Sequence, residues 1–436
     1  MNSLVSGAAS IDISPHDAQF LFGYPHVERY STAIHDPLLS SALYLENEQA
    51  QLIFVSNDII FVGKQTAARA RERIAQATGV PIANIMVTAT HTHSGPITVD
   101  YASNAADTTV PKADPAYVQL LEDGIVDAAV LATQHARPAE AGLCVARAQG
   151  VGTNRRDPTG PADPEVPVLL VRDARSHTPS ACMVVCSMHP TVLHEDSTLV
   201  SADFPGFTRS FLQHVALNES CPVLYHTGPA GNQSPRHVTR ANTFEEAQRL
   251  GELLGQSIAE VIPQITFSRD ISLQGKRSQI DLPRRPFAPV AEAEESLRRA
   301  VAKLERLRGS SASRQDVRTA EVDWFGTEET LTLARAAAAG RLDAFYAACL
   351  PAEVQALHVG PWVFVGWPGE VFVEFSLSVK NQQPDTFVIS LANGELQGYV
   401  VTEEAAAEGG YEASNGLFEP EAGRLLVEKT LRLLEG

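Results

Sequence analysis

The chain is 436 residues long, more than the roughly 100–200 of a typical domain, and carries 52 acidic against 34 basic residues for a formal net charge of −18. That balance excludes a polyanionic partner, because gripping a phosphate backbone needs a cationic surface, so neither nucleic acid nor a stable hold on an anionic membrane is expected. The N-terminus lacks signal-peptide character, no apolar run approaches the ~18–20 residues of a membrane span, and the five cysteines have no CxxC spacing. A soluble, cytoplasmic chain with reduced thiols is the expectation.

Up to about residue 280, β-branched runs alternate with helical stretches, which predicts an α/β fold with a mixed sheet flanked by helices. Residues 51–61 (QLIFVSNDIIF) read as a strand interrupted at Asn57-Asp58, and residues 65–76 as a helix with its basic side chains outward. The apolar run Ile85–Thr90 then leads into His91-Thr92-His93-Ser94-Gly95-Pro96. If the run is a strand, side chains two apart share a face, so both imidazoles emerge on one side at its end. A metal ligand beside an acid/base group is one reading of that pair, and two histidines capping a turn is the other.

Later apolar runs end in the same manner, in polar loops rich in Gly and Pro. Residues 181–188 run into His189-Pro190-Thr191, and residues 222–226 into a loop that holds Asn232, Gln233 and Ser234. Residues 362–367 run into Pro368-Gly369-Glu370, where Glu370 reads as the first turn of a helix, and residues 386–391 into Ala392-Asn393-Gly394. Sites in α/β sheets assemble from loops at the carboxyl ends of strands, so this recurrence points to convergence. Residues 288–350 differ: Leu297, Val301, Leu304 and Leu307 keep helical spacing, a Gly/Ser break covers 309–313, and a second helix follows. This helical hairpin reads as an insertion, a solvated structural arm, with a lid or a contact between copies of a homo-oligomer as alternatives.

The ordered set of motifs resembles the neutral (non-lysosomal) ceramidase family. It comprises Gly7–Pro15 with Gly23-Tyr24, the His-Thr-His-Ser-Gly-Pro segment, His189-Pro190-Thr191, Gly231–Pro235, Pro368-Gly369-Glu370, Tyr399-Val400-Val401-Thr402 and Tyr411-Glu412-Ala413-Ser414. The resemblance spans nearly the whole chain and implies one ceramidase-like zinc hydrolase domain over residues 1–436, with the hairpin inserted in it. It also implies one Zn2+ per chain held by His91, His189, Glu370 and Tyr399. By the same resemblance His93 contacts substrate, Arg155 faces the site, Tyr411 belongs to the tyrosine-rich catalytic segment, and Ser234 is required for activity.

The chain departs from the family pattern at Asn232, where an acidic residue is usual, at Arg236, and after Glu403-Glu404, where an aromatic residue is replaced by Ala405-Ala406-Ala407. It also stops before the family's C-terminal β-sandwich domain. The expected activity is therefore zinc-assisted hydrolysis of an amide or related acyl bond in a small polar substrate. A true ceramidase acting on N-acyl sphingosine, a metal-dependent isomerase or epimerase, and a non-catalytic binding protein on the same scaffold are the alternatives.

Overall fold

The computed structural model describes residues 3–435. Eight strands form one sheet in the order Val223–Thr227, Pro179–Cys186, Glu165–Asp173, Arg137–Arg147, Val5–Asp12, Leu39–Glu46, Gln51–Asn57, Ile85–Ala89. A second sheet runs Leu273–Ile280, Ala352–Val359, Trp362–Gly366, Thr386–Ile389. The two pack face to face: Leu43, Phe54, Met86, Leu169 and Met183 of the first share one apolar cluster with Leu357, Phe364 and Phe387 of the second.

Helices cover both outer faces. Lys64–Thr78 and Pro115–Gln134 lie on one part of the large sheet, and Phe204–Val215 and Phe244–Val261 on the other. Val373–Gln382 and Glu421–Glu435 lie on the small sheet. Neighbouring residues of one strand therefore serve two cores: in Leu39–Glu46, Ala42 and Tyr44 face helices while Leu43 and Leu45 face the other sheet. With both faces buried, the central strands read as continuous apolar runs.

Local signals mark the starts of three of these helices. Asp114 caps Pro115–Gln134 with Pro at its first turn, and Thr243 accepts from the Glu246 backbone N–H to cap Phe244–Val261. Asp203, at φ 57, caps Phe204–Val215 and its Oδ2 also accepts from the backbone N–H groups of Val192 and Leu193, just after His189.

Within these two sheets most strand pairs are antiparallel, but three are parallel: Gln51–Asn57 with Ile85–Ala89, Pro179–Cys186 with Val223–Thr227, and Trp362–Gly366 with Thr386–Ile389. The loops that leave the carboxyl ends of these six strands carry nearly the whole candidate site. Backbone bonds tie the two sheets together at that end, from Asn393 N to Val87 O (2.7 Å) and from Ser390 N to Thr227 O (2.9 Å).

Two sequence expectations need correction. The strand over 51–61 breaks at Asn57-Asp58 as read but does not resume to residue 61: it ends at Asn57, where the Asp58 carboxylate pairs with Arg209 (2.8 Å) and accepts from Leu39 N (3.0 Å). Glu370 does not open a helix: Glu370–Val371 pairs in parallel with Tyr399–Val400, and the helix begins at Val373. In the 288–350 segment, helices span Val290–Arg308, Arg314–Ala338 and Asp343–Cys349.

Candidate metal centre and active site

The strand before His91 ends at Ala89, so strand alternation is not what aims the two imidazoles. His91 instead sits at φ 70, a left-handed conformation that costs a non-glycine residue energy and that surrounding contacts must hold. Its backbone N–H bonds Ile59 O (2.8 Å) and its Nδ1 bonds Ile60 O (3.0 Å). After this kink the His91 and His93 rings meet edge to face, with centroids 5.0 Å apart. The expectation that both rings share one side holds, for a different reason.

His189 is fixed in the same way, with Nδ1 bonded to Ala230 O (2.5 Å) and Gln233 O (3.1 Å). A carbonyl can only accept, so Nδ1 of each ring carries a proton and, in the neutral ring, Nε2 presents a lone pair. Those two Nε2 atoms lie 3.0 Å apart, and Glu370 Oε2 is 3.1 Å from both. Burial, with Arg155 and His91 adding, pushes the His189 imidazole down to about 4, so it is neutral at pH 7. Burial pushes the Glu370 carboxyl up, and only positive charge at the two Nε2 positions holds it well below the usual carboxylate range.

Three buried acceptor atoms facing one another at hydrogen-bond distance need a cation among them. Two imidazole nitrogens and a carboxylate, each imidazole oriented by a carbonyl behind it, are the donor set and outer support that zinc prefers. His93 extends the cluster: His91, His93 and His189 can each offer a ligand atom within 4.8 Å of the others. Both nitrogens of His93 are buried without a hydrogen-bond partner. Tyr399 lies beside Glu370 through the strand pairing, and its ring stacks near His189 at 6.4 Å.

The other expected residues stand further back. Arg155 bonds Glu412 Oε1 through Nε (2.8 Å) and lies over the Tyr399 ring, while its Nη2 is buried without a partner. Ser234 is buried, its Oγ accepts from Arg236 N (3.3 Å), and its strand pairs with Thr153–Asn154, which places Arg155. Tyr411 opens the helix Tyr411–Asn415 and its ring lies 5.8 Å from that of Tyr399. A cavity of ≈ 40 Å³ lies over the cluster, lined by His91, His93, Glu370, Tyr399 and Tyr411 but not by His189, Arg155 or Ser234.

A family model described as neutral/alkaline non-lysosomal ceramidase, N-terminal, matches residues 5–222, half of the chain. The chain belongs to the neutral/alkaline non-lysosomal ceramidase family. As a family member it is a hydrolase of the ceramidase type. It is similar in structure to neutral ceramidase from Pseudomonas aeruginosa, with a TM-score of 0.77 and 19% identity over 99% of this chain and 74% of that one. It is also similar to a ceramidase complexed with C2, with a TM-score of 0.75 and 18% identity over 99% and 75%. Likeness at such identities carries the fold. No curated protein matches this ceramidase-family chain in sequence.

Within this family fold, Asn232 fits its surroundings better than an acid would. Its Nδ2 donates to both oxygens of Glu374 (2.8 and 3.1 Å) and its Oδ1 accepts from Val373 N (3.1 Å). An aspartate there would repel Glu374. Sequence reasoning missed Tyr101, Glu329 and Glu395. Tyr101 and Glu329 line the cavity, and Glu395 Oε1 accepts from the Tyr101 hydroxyl (2.6 Å). Glu329 lies in Arg314–Ala338, where an acid on a charged amphipathic helix looks like solvated surface. No local signal separates it from its neighbour Glu328.

Proposed function

We propose that this ceramidase-family chain is a zinc-dependent hydrolase that cleaves an amide, or a related acyl bond, of a small polar substrate. The observation that carries the reading is the contact among His91 Nε2, His189 Nε2 and Glu370 Oε2 at 3.0–3.1 Å, with both Nδ1 atoms committed to carbonyls. His91, His189, Glu370 and Tyr399 would hold one zinc ion per chain. Zinc bound there supplies a Lewis acid that lowers the pKa of water from 15.7 toward ~7 and polarises the scissile carbonyl.

The chain's own groups do the rest. His93, buried in the cavity wall with both ring nitrogens free of partners and kept neutral by that burial, would take a proton from the attacking water and pass it to the leaving amine nitrogen. The Tyr411 phenol, kept protonated because burial pushes it well above its ordinary value, donates to the carbonyl oxygen as negative charge develops there. Burial pushes the Tyr399 phenol well above its ordinary value, and the Arg155 guanidinium beside it works the other way, toward the ionised form that a metal ligand needs. Ser234 supports the Gln233 carbonyl that orients His189 and the strand that carries Arg155.

The cavity supports the small-substrate reading. Its ≈ 40 Å³ is far below the roughly 300–1,000 Å³ of pockets that enclose drug-sized ligands. Family membership favours N-acyl sphingosine as the second reading. Metal analysis, with turnover of short N-acyl amines and of N-acyl sphingosine measured by mass, tests both. Hydrolysis adds water, whereas isomerisation leaves mass unchanged. Bound zinc near one per chain with faster cleavage of the short amides is the expected result, and zinc-independent turnover would overturn the mechanism.

A further inference from the structure

The helix Arg314–Ala338 lies across the mouth of the site, and several contacts fix its position. Arg318 pairs with Glu195 (2.8 Å), Trp324 and Phe325 each pack on His26 with centroids 5.7 Å apart, and Thr330 Oγ1 donates to Ser414 O (2.9 Å). Gly326 lets the helix sit this close: a Cβ there would come within 3.2 Å of both Tyr411 Cα and Ser414 Cβ. One turn further on, Glu329 enters the cavity wall with 3% of its surface exposed.

Asn415 Nδ2 donates to Glu329 Oε2 (2.9 Å), and Asn104, on the same cavity wall, stands beside that carboxyl. The remaining oxygen of that amide, Asn415 Oδ1, is buried without a partner. A buried carboxyl, whose oxygens each accept more than one donor, and an unpartnered amide oxygen thus share the wall. Phe22, Phe61 and Tyr101 supply aromatic lining to the same cavity, with Phe61 and Tyr101 stacked at 5.0 Å. An ammonium has three donors and no acceptor, and it is favoured by carboxylates and by aromatic faces together.

We infer that Glu329, with Asn415, forms a subsite for a protonated amine, so that the amide cleaved is that of a small N-acylated diamine. The inference rests on the amidase reading above and names its substrate class. Water adds across the carbon–nitrogen bond of the amide, releasing a carboxylic acid and the diamine, whose distal ammonium stays on Glu329. Two further observations agree. Burial pushes the Glu329 carboxyl up to about 7, a cost that a cationic partner removes. The net charge of −18 draws cations toward the protein.

The test uses zinc-loaded protein and two probes of equal length, n-butylammonium and n-butanol, with affinities measured by calorimetry, beside hydrolysis of N-acetyl-1,4-diaminobutane and of N-butylacetamide. The ammonium is expected to bind at least about tenfold more tightly than the alcohol. Glu329→Gln is expected to abolish that preference, and Glu329→Asp to retain part of it. Equal binding of the two probes by the wild type overturns the subsite even if neither variant folds, as does a preference that survives Glu329→Gln. Ammonium preference with neither amide cleaved would sink the amidase reading and keep the subsite. Cleavage of N-butylacetamide without ammonium preference would do the reverse.

Discussion

His91 Nε2 and His189 Nε2 lie 3.0 Å apart across 98 residues of sequence, each ring held by a carbonyl behind it, Ile60 O for one and Ala230 O for the other. Two lone pairs at that distance repel unless a cation joins them. Replacing either histidine by alanine should therefore lower bound zinc from one per chain to near zero and abolish turnover, read by metal analysis and by assay. Chelation of the wild type should lower Tm in a zinc-concentration-dependent way, because a ligand that binds only the folded state stabilises it by mass action. Unchanged zinc content in both variants would sink the ligand assignment.

Gly23 controls the neighbouring imidazole. It sits at φ 119, and a Cβ there would lie 2.4 Å from His93 Nδ1, so Gly23→Ala must displace the ring. The variant should keep its zinc but lose about 100-fold in kcat/KM, the scale of a ~1 Å misplacement of a reacting group. Full activity with an unmoved His93 would contradict the proton-transfer role.

Glu395 predicts a pH dependence of stability. Burial first, then Glu370, pushes its carboxyl up to about 8, and Oε2 is buried without a partner. Since the folded value lies above the unfolded one, its contribution is fully present below about pH 4 and is lost as pH rises through about 8. Glu395→Gln keeps the Oε1 acceptor for Tyr101 and removes the charge. On zinc-free protein it should raise Tm at pH 9 relative to wild type and flatten the loss between pH 4 and 9; parallel curves for the two proteins would refute this.

Arg209 and Asp58 form a buried ion pair (2.8 Å) behind the loop that supplies the Ile60 carbonyl. Removing one partner of such a pair leaves an uncompensated charge, so Arg209→Ala should cost about 3–5 kcal/mol in denaturant unfolding. Because the loop orients His91, zinc affinity should fall as well. A change below ~1 kcal/mol would place the pair among those worth little.

Much of this was legible in the chain itself. The apolar runs at 85–90, 181–188, 222–226, 362–367 and 386–391 announced strands, and the polar loops after them announced a site, because sheet sites form at strand ends. Illegible were the left-handed turn at His91, which has no glycine to mark it, and the pairing of Glu370 with Tyr399, which depends on two loops meeting. Glu329 and Glu395 stayed hidden for a related reason: a carboxyl becomes unusual only when folding buries it.

By itself, the sequence determined the α/β pattern, the order of the motifs and the identity of the groups that can bind a metal, since these follow from side-chain chemistry and periodicity along one segment. Tertiary structure alone decided the geometry. Two sheets packed face to face, tied at the carboxyl ends of three parallel strand pairs, bring His91, His189 and Glu370 to one point with Tyr399 beside them. The helix Arg314–Ala338 adds Glu329 to the wall of the cavity. Distances of 3 Å between residues 98 to 279 positions apart are properties of packing, which no local pattern encodes.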